Sequence, residues 1–317
     1  MPHQRPFKQV DVFTARPYYG NALAVVLDAS GMSDDAMQRF AAWTNLAETT
    51  FLLPPTPEAA AAGADYQVRI FTTAYEMPFA GHPTLGSCHA WLEHGGTPKD
   101  PARIVQQCKV GLVAIRPDGR RLAFAAPPLA RSAIAPELVP ALLAALGLQA
   151  EQLVASQRLV NGPQFFGLLV DSADTVLSLK PDAAAIRAVL AQGGCSGVGI
   201  AAVEQESGSN GLIKRSNREA RAFGGTAAAA SPDNTQPSVE VRMFVSDLAV
   251  SEDPITGSFN ASLAQWLIAD GHAPSSYVAA QGTCIGRQGR VHIHQDASGQ
   301  VWVGGDSVTC INGQVLL

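Results

Sequence analysis

Cysteine is scarce in this sequence, and its spacing argues against both a disulfide framework and a C-x-x-C motif. The 317 residues contain five cysteines, and no two of them form a C-x-x-C pair. An odd and scattered set does not build a disulfide framework. We therefore expect reduced thiols and a cytoplasmic location. The five are Cys88, Cys108, Cys195, Cys284 and Cys310.

Charge is scarce as well, and no long apolar run is present. Charged residues make up 15% of the chain, and the formal net charge is −5. A nucleic-acid-binding surface needs clustered Lys and Arg, so that class of partner is not expected. No apolar run approaches the ~20 residues of a membrane span, and residues 1–9 lack the apolar core of a signal peptide. With 47% hydrophobic residues, the chain has enough apolar material for two domains.

Several motifs of common enzyme classes are missing too. The sequence contains no G-x-S-x-G of serine hydrolases, no glycine-rich phosphate loop and no dinucleotide-binding fingerprint. His292 and His294 share one face of a predicted strand, but a mononuclear metal site needs a third ligand. We therefore predict neither a metal nor a cofactor.

Among the residues that are present, the stretch 251–258, SEDPITGS, carries the clearest chemical signal. It leads into residues 259–270, where apolar residues recur at helical spacing. Thr256 or Ser258 is predicted to cap this helix, and Gly271 to end it. Small residues at a helix start leave backbone N–H groups uncovered, which favours the binding of an anion.

A second copy of this arrangement lies earlier in the chain. The stretch 82–87, HPTLGS, opens another helical run, and Asp253 follows His82 by 171 positions. Gly257 follows Gly86 by the same interval. Both stretches come after an R-x-F strand. We therefore predict a duplicated unit in which two helix starts face one another across a cleft.

Glu48 and His82 each allow two interpretations. Glu48 lies between a helix predicted to end near Asn45 and a strand predicted over residues 49–53. It is either a solvated loop acid or a carboxylate drawn into a cleft. His82 is either a buried structural histidine or a functional one. The residues alone leave both questions open.

Residues 204–238 interrupt the pattern of strands and helices. They are rich in Gly, Ser, Asn and Ala, and contain Lys214, Arg215, Arg218 and Arg221. A long segment without apolar periodicity is typical of an exposed insertion. Whether this insertion is a lid or a disordered loop stays open.

Five stretches together resemble the PhzF-like (phenazine biosynthesis) family of the diaminopimelate epimerase-like superfamily. They are GNALAVV (20–26), NLAETTF (45–51), PFAGHPT (78–84), EDPITGS (252–258) and the end GRQGR…GG (286–290, 304–305). The resemblance implies an α+β fold of two pseudo-symmetric domains, each a curved or barrel-like sheet around a central helix. We place the domains at 1–128 and 129–300, with strands in 301–317 returning to the first. The resemblance also implies an active cleft between the domains and a homodimer.

The resemblance assigns roles to individual residues. It implies that Glu48 is the catalytic acid and base, that His82 and Asp253 flank the substrate, and that four more residues line the pocket: Asn21, Gly81, Gly257 and Ser258. The family's defining member isomerises trans-2,3-dihydro-3-hydroxyanthranilate without metal or cofactor. We therefore expect a cofactor-independent isomerase of a small carboxylate-bearing metabolite. Phe259 and Asn260 depart from the usual residues of the family, which puts the identity of the substrate in doubt.

Two alternatives compete with this hypothesis. A two-thiol racemase would need a cysteine at each helix start, but His82 and Asp253 stand there and Cys88 lies further inside the helix. A non-catalytic small-molecule-binding protein on the same fold is the other alternative. The presence of Glu48, His82 and Asp253 together favours catalysis over binding alone.

Overall fold

The fold is that of a computed structural model, which describes residues 3–204, 236–246 and 252–317. Most of the predicted insertion, with its four basic residues, and Ser251 lie outside the described residues. The chain divides into two compact units, residues 1–126 with 297–317, and residues 127–296. The sequence-based boundaries were 128/129 and 300/301.

The first unit is a mixed sheet that curves back on itself. The elements of this unit are β1 (Gln4–Val12), β2 (Asn21–Val26), α1 (Asp34–Thr44), β3 (Glu48–Leu53), α2 (Pro57–Ala61), β4 (Tyr66–Phe71), β5 (Glu76–Met77), α3 (Gly81–Glu93), β6 (Ile104–Cys108), β7 (Gly111–Asp118), β8 (Arg121–Ala125), β16 (Val301–Gly305) and β17 (Ser307–Leu316). The strands pair in the order β17-β1-β2-β3-β4-β6-β7-β8-β16, with the short β5 also paired to β4. The two ends of this order, β16 and β17, are separated in the chain by Asp306 alone, so the sheet has to bend around.

Helix α3 is the central helix of this unit. Its first eight residues are buried, and it contacts β1, β2, β3, β8 and β17. The contact is close at Gly86, where a Cβ would lie 2.7 Å from Leu23 Cδ2 and 2.8 Å from Val12 Cγ2. Only glycine lets the helix approach the sheet this closely.

The second unit repeats the pairing pattern of the first. Strands β10 to β15 pair in succession as antiparallel, parallel, antiparallel, parallel and antiparallel. Strands β1, β2, β3, β4, β6 and β7 follow the same sequence of senses. The elements are β9 (Ala130–Ser132), α4 (Leu138–Leu146), β10 (Leu153–Val160), β11 (Gln164–Val170), α5 (Ala173–Ser178), α6 (Ala183–Gly193), β12 (Gly197–Val203), β13 (Val239–Val245), α7 (Gly257–Ala269), β14 (Ser276–Gln281) and β15 (Gly289–Gln295). The predicted pseudo-symmetric α+β fold is confirmed.

The predicted register of the duplication is wrong by five residues. Helices α3 and α7 both span 13 residues, and they begin at Gly81 and Gly257, which are 176 positions apart. This interval aligns EMPFAGH (76–82) with EDPITGS (252–258). Asp253 therefore corresponds to Met77, and Ser258 is the residue that corresponds to His82. The 171-residue register placed Gly257 against Gly86, more than one turn inside α3.

Helix α7 is buried on most of its surface, as expected of a second central helix. Ten of its 13 residues are buried, including Phe259 and Trp266. The Phe259 ring packs over Gly199 of β12, where a Cβ would come within 2.0 Å of the ring. It also meets Phe165 edge to face at 5.7 Å. Phe259 is thus a core residue, and its bulk is accommodated by a glycine on the facing strand.

None of the described helices has the length and apolar composition to cross a membrane.

Candidate active site

In the first unit the structure brings together Asn21, Glu48 and His82. Asn21 is the first residue of β2, Glu48 the first of the parallel neighbour β3, and His82 the second of α3. Glu48 Oε2 lies 3.4 Å from His82 Nε2, and the exposed fractions of the two side chains are 15% and 4%. Asn21 Nδ2 lies 3.4 Å from His82 Nδ1. The imidazole thus lies between an amide and a carboxylate.

These contacts and its burial determine the state of the His82 ring. Burial lowers the pKa of the imidazole to about 3, so the ring is neutral at neutral pH. Nδ1 faces the amide donor of Asn21 and accepts, which leaves the proton on Nε2. Nε2 has no hydrogen-bond partner among the described residues. His82 thus presents a neutral N–H donor beside the carboxylate of Glu48.

The surrounding residues hold these three side chains in place. Gly20 permits the turn before Asn21, because a Cβ there would lie 2.4 Å from the carbonyl oxygen of Val12. Thr50, which follows Glu48 by two residues, accepts a hydrogen bond from Ser87 of α3 at 2.9 Å. This bond links the strand of Glu48 directly to the helix of His82. Gly81, the predicted pocket residue, is the buried first residue of α3.

In the second unit Asp253 belongs to a network at the start of α7. The hydroxyl of Thr256 donates to Asp253 Oδ2, and the same hydroxyl oxygen accepts from Gln281 Nε2 at 3.1 Å. Gln281 also donates to the carbonyl oxygen of Asp253 at 3.1 Å and accepts from the backbone N–H of Thr256 at 3.1 Å. Because a carboxylate can only accept, the Thr256 hydroxyl is the donor in its bond to Asp253.

The prediction that Thr256 or Ser258 caps α7 is wrong, since Ser258 is already the second residue of the helix and the Thr256 hydroxyl is used in this network. Thr256 stands at the N-cap position, but its side chain makes no cap hydrogen bond to the helix. Helices α1, α2, α5 and α6 begin with a side-chain cap, whereas α3, α4 and α7 do not. The N-cap side chains of the two central helices thus leave the first N–H groups of each helix uncapped. Gly257 and Ser258 are the first two residues of α7 and are buried.

Two polar residues of the second unit were missed by the sequence-based prediction. Gln281 is fully buried, and besides the contacts above it accepts from Asn260 Nδ2 at 2.8 Å. Asn161, in the turn between β10 and β11, donates from Nδ2 to the carbonyl oxygen of Ser258 at 2.8 Å. A single polar residue that ends an apolar strand was the available signal for Gln281. Asn260, flagged as a departure from the family, uses its amide to connect α7 to β14.

A duplicated ion pair precedes each central helix. Arg69 binds Glu76 through two hydrogen bonds of 2.8 and 2.9 Å, and Arg242 binds Glu252 through two of 3.0 and 2.7 Å. Each guanidinium also lies over the phenylalanine two residues further along its strand. Because Glu252 adjoins Asp253, the buried pair of Arg242 and Glu252 fixes the backbone beside that carboxylate. The alignment at 176 residues matches Glu76 with Glu252.

The cysteines and histidines do not form a second chemical centre. Cys88 is the eighth residue of α3, and burial raises the pKa of its thiol to about 12. A thiol of that pKa is not a nucleophile at neutral pH. Within residues 3–204, 236–246 and 252–317, no three His, Cys, Asp or Glu side chains lie close enough to hold a metal ion.

Comparison with known proteins establishes the family. Residues 10–313 match the model of the PhzC-PhzF family, described as phenazine biosynthesis-like proteins. The chain belongs to this family. The resemblance found in the sequence is thereby confirmed. The matched residues include both central helices and every candidate site residue named above.

Relatives and solved structures agree with this assignment. Antisense-enhancing sequence 1 of Schizosaccharomyces pombe is 31% identical over 98% of both chains. Trans-2,3-dihydro-3-hydroxyanthranilate isomerase of Pseudomonas aeruginosa is 33% identical over 55% of this chain and 60% of its own. A predicted epimerase of known structure from Pseudomonas aeruginosa superposes with a TM-score of 0.74 at 25% identity, covering 99% of both chains. A hydroxyproline epimerase from Agrobacterium vitis shares the fold, with a TM-score of 0.57 at 13% identity and 91% of its chain covered.

Proposed function

We propose that this protein is a cofactor-independent isomerase that moves a proton on a small carboxylate-bearing metabolite, with Glu48 as general acid and base. Family membership and the isomerase names of the relatives support an isomerase or epimerase in general. The observation that carries the finer proposal is the 3.4 Å approach of the Glu48 carboxylate to the neutral imidazole of His82.

Glu48 and His82 have different proposed roles, which follow from the chemistry of their side chains. A carboxylate of low exposure can take a proton from carbon and return it at another position of the same molecule. Negative charge develops on the substrate as the proton leaves. The Nε2–H of His82 is a donor that can stabilise this charge without itself being ionised. Asn21 holds the ring in the tautomer that this role requires.

The residues of the second unit are proposed to bind the substrate. Asp253 accepts a hydrogen bond from the Thr256 hydroxyl, and its carboxylate is proposed to orient a hydroxyl or amino group of the substrate. The N–H groups of Gly257 and Ser258 at the start of α7 suit a carboxylate. A homodimer, a cytoplasmic location and a cleft shared by the two helix starts stay predictions.

Exchange of hydrogen with solvent tests the proposal. The wild-type protein is incubated in D2O with trans-2,3-dihydro-3-hydroxyanthranilate, and deuterium uptake into the compound is followed by mass spectrometry. We expect uptake with the wild type and a loss of roughly 10²- to 10⁴-fold in Glu48→Gln, since this is the usual contribution of a general acid–base residue. Glu58→Gln, at an exposed glutamate of α2, is the matched control and should retain the wild-type rate.

The result also separates an enzyme from a binding protein. If the compound binds to the wild type but takes up no deuterium, the protein binds without catalysis, and the isomerase proposal is wrong. Equal rates in Glu48→Gln and the wild type would instead remove Glu48 from the mechanism. Binding is measured in the same samples by the shift in thermal midpoint.

A further inference from the structure

Among the described residues, the side-chain amide of Asn161 forms a hydrogen bond through its nitrogen but none through its oxygen. Asn161 is 5% exposed, and its Nδ2 donates to the carbonyl oxygen of Ser258 at 2.8 Å. A main-chain carbonyl can only accept, so the nitrogen has to face it and the amide oxygen has to point elsewhere. That oxygen, Oδ1, is buried and has no hydrogen-bond partner among the described residues.

An unpartnered buried acceptor requires an explanation. Its desolvation is not offset by any hydrogen bond, and such atoms are few in native structures. Asn161 lies in a turn, where an apolar or smaller residue would avoid this cost. Oδ1 can only accept, so the missing partner has to be an N–H or O–H group.

The position of Asn161 in the duplicated unit points to the same function as Asn21. Each asparagine lies in the first hairpin of its repeat, Asn21 after β1 and Asn161 after β10. Each directs its amide nitrogen at the second residue of the central helix, His82 in α3 and Ser258 in α7. These two helix residues correspond at the interval of 176 positions. In strand register Asn21, opposite Val12, is matched by Gln164, opposite Val160. Asn161 therefore resembles Asn21, a residue expected to line the pocket, through its contact with the start of the central helix.

We infer that Asn161 Oδ1 is a substrate-binding acceptor for an amino or hydroxyl group that neighbours the substrate carboxylate. This inference rests on the proposed function, in which that carboxylate binds at the start of α7. The bond to Ser258 holds the amide against the same helix turn, so the donor and the carboxylate have to lie close together on the ligand. The favoured substrate class is therefore a carboxylate with an adjacent amine or hydroxyl.

Two small probes that differ in one donor test the inference. The dissociation constants of 2-aminobenzoate and 2-methylbenzoate are measured with the full chain by titration calorimetry. The methyl group has about the size of the amine but no hydrogen to donate. We expect the wild type to prefer 2-aminobenzoate by roughly tenfold, the value of one hydrogen bond to a buried acceptor.

A variant then assigns the preference to Asn161. Asn161→Leu removes the acceptor at similar volume, and the ratio of the two constants should fall to about one. Any loosening of the α7 start weakens both probes alike, so it leaves the ratio unchanged. Asn312→Ala, at an exposed asparagine of β17, is the control and should keep the wild-type ratio.

Each outcome of these titrations supports or overturns the inference about Asn161. A wild type without the preference overturns the inference, and this result needs no variant to fold. A preference that persists in Asn161→Leu overturns it as well, while Glu48-dependent deuterium uptake would leave the proposed function standing. If neither probe binds the wild type, the proposed carboxylate site is wrong and the inference is refuted with it.

Discussion

The buried imidazole of His82 should make the stability of the first unit depend on pH. Burial lowers the pKa of this ring to about 3 in the folded protein, against an ordinary value of 6.5 in the unfolded chain. Above pH 6.5 both states are neutral at this residue, so it contributes nothing. Below pH 6.5 the unfolded chain binds a proton that the folded chain does not, and stability falls as the pH falls toward 3.

The size of the effect follows from this difference in pKa. Each pH unit between the two pKa values changes the free energy of unfolding by about 1.4 kcal/mol. Acidification from pH 7.5 to pH 5 should therefore destabilise the wild type by about 2 kcal/mol through His82 alone. His82→Gln lacks the titrating group and should not show this part of the loss.

The assay compares urea denaturation of the two proteins at pH 7.5, 6 and 5. Other groups titrate equally in both proteins, including His89, whose pKa is also lowered by burial, so they cancel in the difference. We expect the gap in stability between wild type and His82→Gln to narrow by about 2 kcal/mol at pH 5. If the two units unfold separately, the transition that the substitution alters is the one to evaluate.

A control and a direct reading complete the experiment. His94→Gln removes an exposed histidine at the end of the same helix, and its stability should run parallel to that of the wild type. The ring itself is followed by NMR. A gap that does not change between pH 7.5 and pH 5, or a His82 resonance that titrates near pH 6.5, would refute the neutral donor and the proposed role of His82.

Three further predictions concern the framework of the site. Arg242→Met should lower the free energy of unfolding, measured by urea denaturation, by about 3–5 kcal/mol, because it leaves the buried Glu252 without its partner. Arg69→Met should lower it clearly less, since Glu76 is more exposed and also has Lys109 at 3.6 Å. Equal losses in the two variants would contradict this. Gly86→Ala should destabilise the protein by a net ~1–2 kcal/mol, because overpacking against Leu23 exceeds the gain in helix propensity. The control is Gly313→Ala, where no atom lies within 4 Å of the added Cβ, and its stability should change by less than ~0.5 kcal/mol. Gln281→Leu should cost at least ~2 kcal/mol, because four hydrogen bonds around Asp253, Thr256 and Asn260 are lost together; a thermal midpoint equal to that of the wild type would show that the network contributes nothing.

The sequence predicted the parts of the fold that depend on local chemistry. Helix α7 is followed by Gly271 in the left-handed conformation, as expected. The family motifs located Asn21, Glu48 and His82, which the structure brings together. These residues lie next to turns and helix starts, where glycine, proline and capping residues leave a clear pattern.

The register of the duplication was mistaken because short identities were given too much weight. The shared Gly-Ser pair favoured 171 residues, yet it falls at different turns of the two helices. At 176 residues the two stretches share only E-x-P-x-x-G, fewer identities than at 171. What decides for 176 is the common start of the two helices and the arginine partners of Glu76 and Glu252, which letter identities do not reveal.

Asn161 and Gln281 were missed for the same physical reason. Asn161 acts on Ser258, 97 residues further along the chain, and Gln281 on Asn260, 21 residues before it. Nothing adjacent to either residue indicates a function. A polar residue in a turn or at the end of a strand is ordinary, and only the fold reveals what it faces.

Hydrogen-bond satisfaction alone does not separate the structural polar groups from the candidate functional ones. Gln106 is the counterpart of Gln281, because each binds the fourth residue of its central helix, Thr84 or Asn260. The fully buried amide of Gln106 accepts a hydrogen bond from Tyr66 and donates one to Thr84, so both its oxygen and its nitrogen have partners. In contrast, His82 Nε2 and Asn161 Oδ1 are buried near the starts of the two central helices without a partner among the described residues. Among the described residues, orphaned atoms also occur elsewhere, as at Tyr277, Ser307 and Asn260 of α7, so burial without a partner is not sufficient evidence of function. The stronger argument is location, because His82 is the second residue of α3 and Asn161 is bonded to Ser258, the corresponding residue of α7.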